Sequence, residues 1–175
     1  TGFGTSCLAP GDDNSWVQHG QDGGTSTAIP FGPAFPSGVN FYGRIYTAFY
    51  VNTNGNISFN QALSTYTPAV IPQTSGVPMM APWWADVDTR AGMPPSNNNI
   101  CFHRDGQRTV VTWHLVGYFA SHHNLQNSFQ LVLTPLGGTD FAVEFRYNRC
   151  QWTTGDASGG TGGLGGTPAQ AGVEG

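Results

Sequence analysis

The carboxylates carry the clearest chemistry in this chain. Asp86-Val87-Asp88 sets two acids at alternate positions of an apolar, extended segment. Alternate residues of a strand share a face, so both acids point the same way. Asp12-Asp13, followed by Asn14, is a second acid pair in a polar stretch. Hard oxygen ligands of this kind suit Ca²⁺. Asp86, Asp88, Asp12 and Asp13 are therefore the candidate ligands of a structural calcium site, completed by loop carbonyls. No complete EF-hand loop is present. The plainer reading has Asp86 and Asp88 capping turns or pairing with Arg90, Arg44 or Arg146, and spacing alone leaves both arrangements open.

Other reactive patterns lack their context. Paired carboxylates can hydrolyse glycosides from opposite sides of a cleft, but Glu144 and Glu174 are the only glutamates and nothing marks a partner across from Asp86. His114, His122 and His123 offer imidazole nitrogens to zinc. Adjacent histidines in extended chain point to opposite sides, so His122 and His123 do not chelate together, and they are read instead as loop residues available for binding. Gly160-Thr161-Gly162-Gly163-Leu164-Gly165 matches the dinucleotide fingerprint in letters. That fingerprint needs a helix start directly after it, and Pro168 and Gly172 oppose one. No Gly-x-Ser-x-Gly elbow occurs. No catalytic residue is assigned.

Two further sets could serve binding or modification. Trp83 and Trp84, with Trp152, Tyr46 and Tyr66, could form a stacking platform for sugars, although aromatics of a β-rich chain usually fill the core. Asn56-Ile57-Ser58 is an N-glycosylation sequon, which makes Asn56 a glycosylation candidate. The three cysteines, Cys7, Cys101 and Cys150, fit no metal spacing. They are disulfide candidates in an exported chain, with one left over, and spacing does not choose the pair.

The elements that must position these residues are strands. Residues 1–40 are dense in Gly, Pro, Ser and Asp. They read as an irregular segment packed on the rest, with room for two short strands and apolar touches at Trp16-Val17 and residues 29–31. Residues 42–51 are rich in aromatic and β-branched types, which favour strands. Asn52-Thr53-Asn54-Gly55 then signals a tight hairpin of type I′ into residues 56–59. A proline-punctuated connection covers 60–78, and a polar loop covers 91–99. Residues 100–104 and 108–118 are strands joined at Asp105-Gly106. Residues 119–127 form a polar loop that carries His122 and His123. Residues 128–134 and 141–148 alternate as strands around Gly137-Gly138, with Phe141, Val143, Phe145 and Tyr147 on one face. Residues 153–175 are too glycine-dense to form a regular element unaided. The fold class is all-β, a mostly antiparallel β-sandwich with long ordered loops and a glycine-rich C-terminal segment.

Composition excludes several classes. The 175 residues read as a single domain. Charged residues make up 9%, against about 25% in average soluble domains. There is no lysine, and the net charge is −4 with scattered arginines. Such a chain has no basic footprint for nucleic acid. No apolar run approaches the roughly 18 residues of a membrane helix, so membrane insertion is not expected. Aromatics at 13% oppose disorder. The loop-rich, lysine-free composition points to export. A start at Thr1 without an apolar leader reads as a processed chain or an excised domain.

Longer motifs carry a family resemblance. In order they are Phe41-Tyr42-Gly43, residues 50–59, Ala81-Pro82-Trp83-Trp84-Ala85-Asp86-Val87-Asp88-Thr89-Arg90, residues 127–133, Phe145-Arg146-Tyr147, residues 151–160 and residues 165–172. Over residues 41–172 the chain resembles the NIDO domain, the nidogen-like extracellular module. The resemblance implies a non-enzymatic adhesion or matrix-assembly module, outside the cell or at its surface, whose partner is an extracellular protein or glycan. It implies a packed corner at Asp86, Asp88 and Arg90 in which arginine or a metal neutralises the acids. It also implies a glycine-rich end laid over the sheet with Trp152 as anchor. Similar domains look set to continue into another strand beyond Gly175. Without that strand an open edge would remain and would recruit others, giving self-assembly. A secreted carbohydrate-binding or carbohydrate-active protein, or a filament subunit built by strand addition, is the competing reading.

Overall fold

The computed structural model describes Gly4 and residues 6–15, 27–73, 76–91 and 98–175. The apolar touch at Trp16-Val17 and most of the 91–99 loop lie outside the described residues. The strands are β1 (Ser6–Cys7), β2 (Ile29–Pro30), β3 (Val39–Phe41), β4 (Arg44–Tyr46), β5 (Ala48–Asn52), β6 (Asn56–Ser58) and β7 (Met79–Trp84). There follow β8 (Val87–Asp88), β9 (Asn99–Arg104), β10 (Thr109–Tyr118), β11 (His122–Gly137), β12 (Asp140–Arg149) and β13 (Gln170–Glu174). Among the described residues the one helical turn is a 3₁₀ turn at Asp156–Ser158, and no helix is long and apolar enough to cross a membrane.

All pairings are antiparallel. One sheet runs β1-β9-β10-β11-β12, with β8 also pairing to β10. The other runs β13-β7-β6-β5-β2, and β3-β4 stands as a separate hairpin. Inward residues of both sheets share one core. Val111, Trp113, Phe129 and Leu131 from the first meet Phe49, Val51, Ile57 and Met80 from the second. This is the expected sandwich, and period-2 alternation produces it, since each sheet buries one face. Along β12, Phe141 and Phe145 lean on that core as the alternation requires.

The turns differ in detail from their sequence signals. The hairpin at 52–56 has a three-residue loop, Thr53-Asn54-Gly55, in which only Gly55 has positive φ (75°). A Cβ on Gly55 would lie 1.7 Å from the Trp83 carbonyl oxygen, so the glycine is also needed for close packing on β7. A two-residue turn with positive φ at both positions lies instead at Tyr42-Gly43 (φ 49° and 80°), between β3 and β4. The strand expected over 42–51 thus begins only at Arg44, and a bend at Thr47 divides it into β4 and β5. At the β9–β10 hairpin, Asp105 Oδ1 accepts from the Gln107 and Arg108 amides at 2.8 and 2.9 Å. The aspartate closes that loop with its own side chain.

Two expectations need correction. His122 and His123 are not in a loop but begin β11, because the turn closes earlier, at 119–121. The glycine-dense end does supply a regular element. β13 pairs with β7, Gln170 opposite Trp84 and Glu174 opposite Met79. Weak local propensity is overridden there by the unpaired edge of an apolar partner. Of the cysteines, Cys7 and Cys101 sit opposite each other on β1 and β9 and are disulfide-bonded, while Cys150 is free and exposed.

Candidate functional site

The acid pairs come together at the corner between β7 and β8. The N-terminal segment lies along this corner. Thr89 and Gly11 exchange backbone and hydroxyl hydrogen bonds, and Asp12 bridges to Asp88. That docking brings Asp12 and Asp13, distant in sequence, against Asp86. One carboxylate oxygen from each of Asp12, Asp13 and Asp86 lies within 4.8 Å of the other two.

The asparagines of the 52–56 hairpin hold the corner together. Asn52 Nδ2 donates to Asn56 Oδ1 (2.7 Å) and Ser58 Oγ (2.9 Å), and Asn52 Oδ1 accepts from Ser15 Oγ (2.5 Å). Asn54 Nδ2 donates to Asp13 Oδ1 (2.7 Å), while its Oδ1 accepts from the Val87 amide (3.0 Å). Residues 52, 54 and 56 alternate, so one hairpin connects the N-terminal segment to the acid corner. The sequence signal marked Asn52 and Asn54 as turn formers and Asn56 as a glycosylation candidate, not as a connected set. Their spacing of two, next to Asp-x-Asp, was the available signal.

The four acids have unlike environments. Asp88 is fully buried and held on both oxygens by Arg90 Nε (3.0 and 3.1 Å) and by Arg90 Nη2 (2.5 Å). The Ser121 amide also donates to it at 2.7 Å. Burial pushes the Asp88 carboxyl up, but the hydrogen bonds from Arg90 and Ser121 outweigh it and hold it below the usual range. Asp86 is 1% exposed, and its Oδ2 has no hydrogen-bond partner. Burial first, then the charges of Asp12, Asp13 and Asp88, push it up to about 7. Burial, then the charges of Asp13 and Asp88, push Asp12 up to about 6. Arg90 Nη2 touches Asp12 Oδ2 at 2.9 Å, yet Asp12 Oδ1 is unpartnered. Burial raises Asp13 as well, against the Asn54 hydrogen bond. Of the four expected ligands, Asp88 is therefore committed to arginine, and the other three face each other. Arg44 and Arg146 take no part: Arg146 pairs with Glu144, and Arg44 lies over the Tyr46 ring.

A cavity of about 120 Å³ opens beside them, lined by Asp13, Tyr66, Asp86, Phe119 and Ala157. Gly155 closes over Asp86, and a Cβ there would stand 2.6 Å from Asp86 Oδ2. Only glycine lets the backbone approach so closely.

The remaining candidates disperse. His122 Nε2 lies 3.0 Å from Asp156 Oδ2, whereas His123 Nε2 lies 3.1 Å from the Leu115 carbonyl. They point apart, and neither joins the acid cluster. Trp84 and Trp152 are buried, with their indole N–H groups donating to Thr65 and Val116 carbonyls. Trp83 packs on Phe129 and Tyr147. Trp83 stays partly buried, so of the expected stacking platform Trp84 and Trp152 are withdrawn into the core. Asn56 is fully buried, and its Nδ2 donates to the Asn54 carbonyl. A glycan on that nitrogen has no room in this fold, because the β5–β6 turn packs inward on β7 instead of projecting. The glycine loop at 160–165 folds onto Trp152, with the Gly163 carbonyl accepting from the Thr153 and Thr154 amides.

Comparison with known proteins bears on the whole chain. The NIDO-related family profile matches residues 9–174. Alpha-tectorin of mouse is 37% identical over 177 residues, covering 88% of this chain, and human alpha-tectorin matches equally. Drosophila nidogen is 27% identical over 146 residues, or 69% of the chain. The chain spans only 8% of the length of those alpha-tectorins and 11% of that nidogen. No solved structure matches significantly. Extent of match and identity agree with the residue-level reading of an extracellular module: the chain belongs to the NIDO-related family of extracellular-matrix domains.

Proposed function

We propose that this chain is a non-enzymatic matrix-assembly module that joins protein to protein by strand addition at β12. The observation that carries this reading is the state of that strand. β12 pairs with β11 from Asp140 to Arg149, and among the described residues no strand lies on its other side. Apart from Phe141 and Phe145 its residues are exposed, with Val143 and Tyr147 among the exposed large apolar side chains. An edge of ten residues presents a row of backbone donors and acceptors to another chain.

The favoured occupant is a second copy, because β12 is complementary to itself. Antiparallel pairing centred on Phe145 sets Glu144 opposite Arg146 of the other copy, twice over, and Val143 opposite Tyr147. A two-fold contact of this kind is self-complementary by construction, and opposite charges across strands are favourable.

The test is sedimentation velocity over a concentration series. Wild type is expected to dimerise. Arg146→Glu places like charges opposite each other and is expected to weaken the dimer at least tenfold. Glu144→Arg combined with Arg146→Glu restores the complementarity and the dimer. A monomer at every concentration, or a dimer indifferent to Arg146→Glu, removes β12 self-pairing.

A further inference from the structure

We propose that Asp12, Asp13 and Asp86 bind one Ca²⁺ ion at the β7–β8 corner, leaving Asp88 to Arg90. This inference does not depend on β12 or on any partner. It rests first on geometry. Ca²⁺ bonds oxygen at about 2.3–2.6 Å, so its ligands can stand up to about 5 Å apart. One oxygen from each of these three carboxylates lies within 4.8 Å of the other two. Mg²⁺, at about 2.0–2.1 Å, spans only about 4 Å and demands a stricter octahedron.

The second observation is Asp86 itself. It is 1% exposed, its Oδ2 is unpartnered, and it lines the adjoining cavity. Buried polar atoms nearly always have partners, and a buried carboxylate without one is costly. Asp12 Oδ1 repeats the pattern in the same cluster. Asn54 holds Asp13 Oδ1 in place from behind. Charge points the same way. One guanidinium, Arg90, faces four carboxylates, and it is already spent on Asp88 and Asp12. A divalent cation would bring the corner close to neutrality. The cavity of about 120 Å³ leaves room for waters to complete the six to eight oxygens that Ca²⁺ takes.

Folding and binding are coupled in this arrangement. Two ligands come from the N-terminal segment and one from the β7–β8 corner. The ion would therefore clamp the segment that Thr89 and Gly11 already dock. Affinities of about 10⁻⁴–10⁻³ M are typical of extracellular calcium modules.

The experiment is thermal unfolding of the chelator-treated chain, with Ca²⁺ and separately with Mg²⁺. At Ca²⁺ about tenfold above Kd, Tm is expected to rise by about 3–6 °C. Mg²⁺ is expected to give a smaller shift. Asp86→Asn and Asp13→Asn should each abolish the shift, and Asp140→Asn, at the distant β11–β12 turn, should keep it. Terbium luminescence excited through the aromatic residues, with Tyr66 lining the cavity, reports the same site directly and should be quenched by Ca²⁺. If Asp86→Asn does not fold, Asp13→Asn and the terbium titration carry the decision. No Ca²⁺ shift in wild type, or a shift that survives both variants, overturns the proposal.

Discussion

Two acid–x–arginine pairs have the same spacing in the chain and opposite surroundings. At Asp88-Thr89-Arg90 and at Glu144-Phe145-Arg146, the guanidinium clamps both oxygens of the carboxylate two residues earlier. Asp88 is fully buried, whereas the Glu144 side chain is 56% exposed. The spacing of two makes the pair in both places: in β12 alternate residues share a face, and after β8 the chain bends so that the Arg90 amide also donates to Asp88 Oδ1 at 2.9 Å. Burial then decides whether the pair matters to the fold. Water screens the β12 pair and can replace either partner. At the β7–β8 corner, loss of Arg90 strands a charge that water cannot reach.

Arg90→Gln should have the largest effect on that contrast. It removes the one positive charge facing Asp12 and Asp88 and is expected to cost about 2 kcal/mol in urea unfolding under chelation. That lies below the range for fully buried pairs because the guanidinium is 46% exposed. A loss no greater than that of Arg146→Gln would erase the distinction between the two regions.

A pH series sharpens the contrast. Under chelation, Asp86 ionises near 7 in the folded chain and near 4 when unfolded. Between those values the folded state binds the extra proton, so stability falls as pH rises. Asp12 contributes in the same direction up to about 6. Asp88 has the opposite sign. Its stabilisation is present above its ordinary pKa and is lost as pH falls through its lowered folded value. Chelated wild type should therefore be most stable in weak acid, and Asp86→Asn should flatten the decline towards neutral pH. Urea midpoints that rise steadily from about pH 5 to about pH 8 in wild type would count against the assigned environments.

The smallest effect is expected at β12. Arg146→Gln should leave the urea midpoint of the monomer unchanged, since both partners stand in water. A clear destabilisation there would mean that the exposed pair supports the sheet.

Much of the architecture was legible because its signals are local. The alternation of Phe129, Leu131 and Leu133, and of Phe141 and Phe145, gave the right faces. Asp105-Gly106 and Gly137-Gly138 marked the right reversals. Other features were not legible because they depend on the partner. Gln170–Glu174 carries little strand propensity and becomes β13 only against the edge of β7. Asn56 carries a surface-type modification sequence, but packing of its hairpin on β7 buries it. His122 and His123 read as loop residues because no sequence signal marked where the preceding turn closes.

By itself the sequence determined an all-β, lysine-free, family-typed module with four of its aspartates in two pairs. Tertiary structure decided which acids meet. Asp12 and Asp13 lie more than seventy residues from Asp86, and only the docking of residues 11–15 beside Thr89 and the 52–56 hairpin joins them. It also divided the acids, giving Asp88 to Arg90 and leaving Asp86 buried with an unpartnered oxygen. Spacing along one strand specifies a shared face, but burial and the approach of a distant segment depend on how the sheets close over the core, which no local pattern encodes.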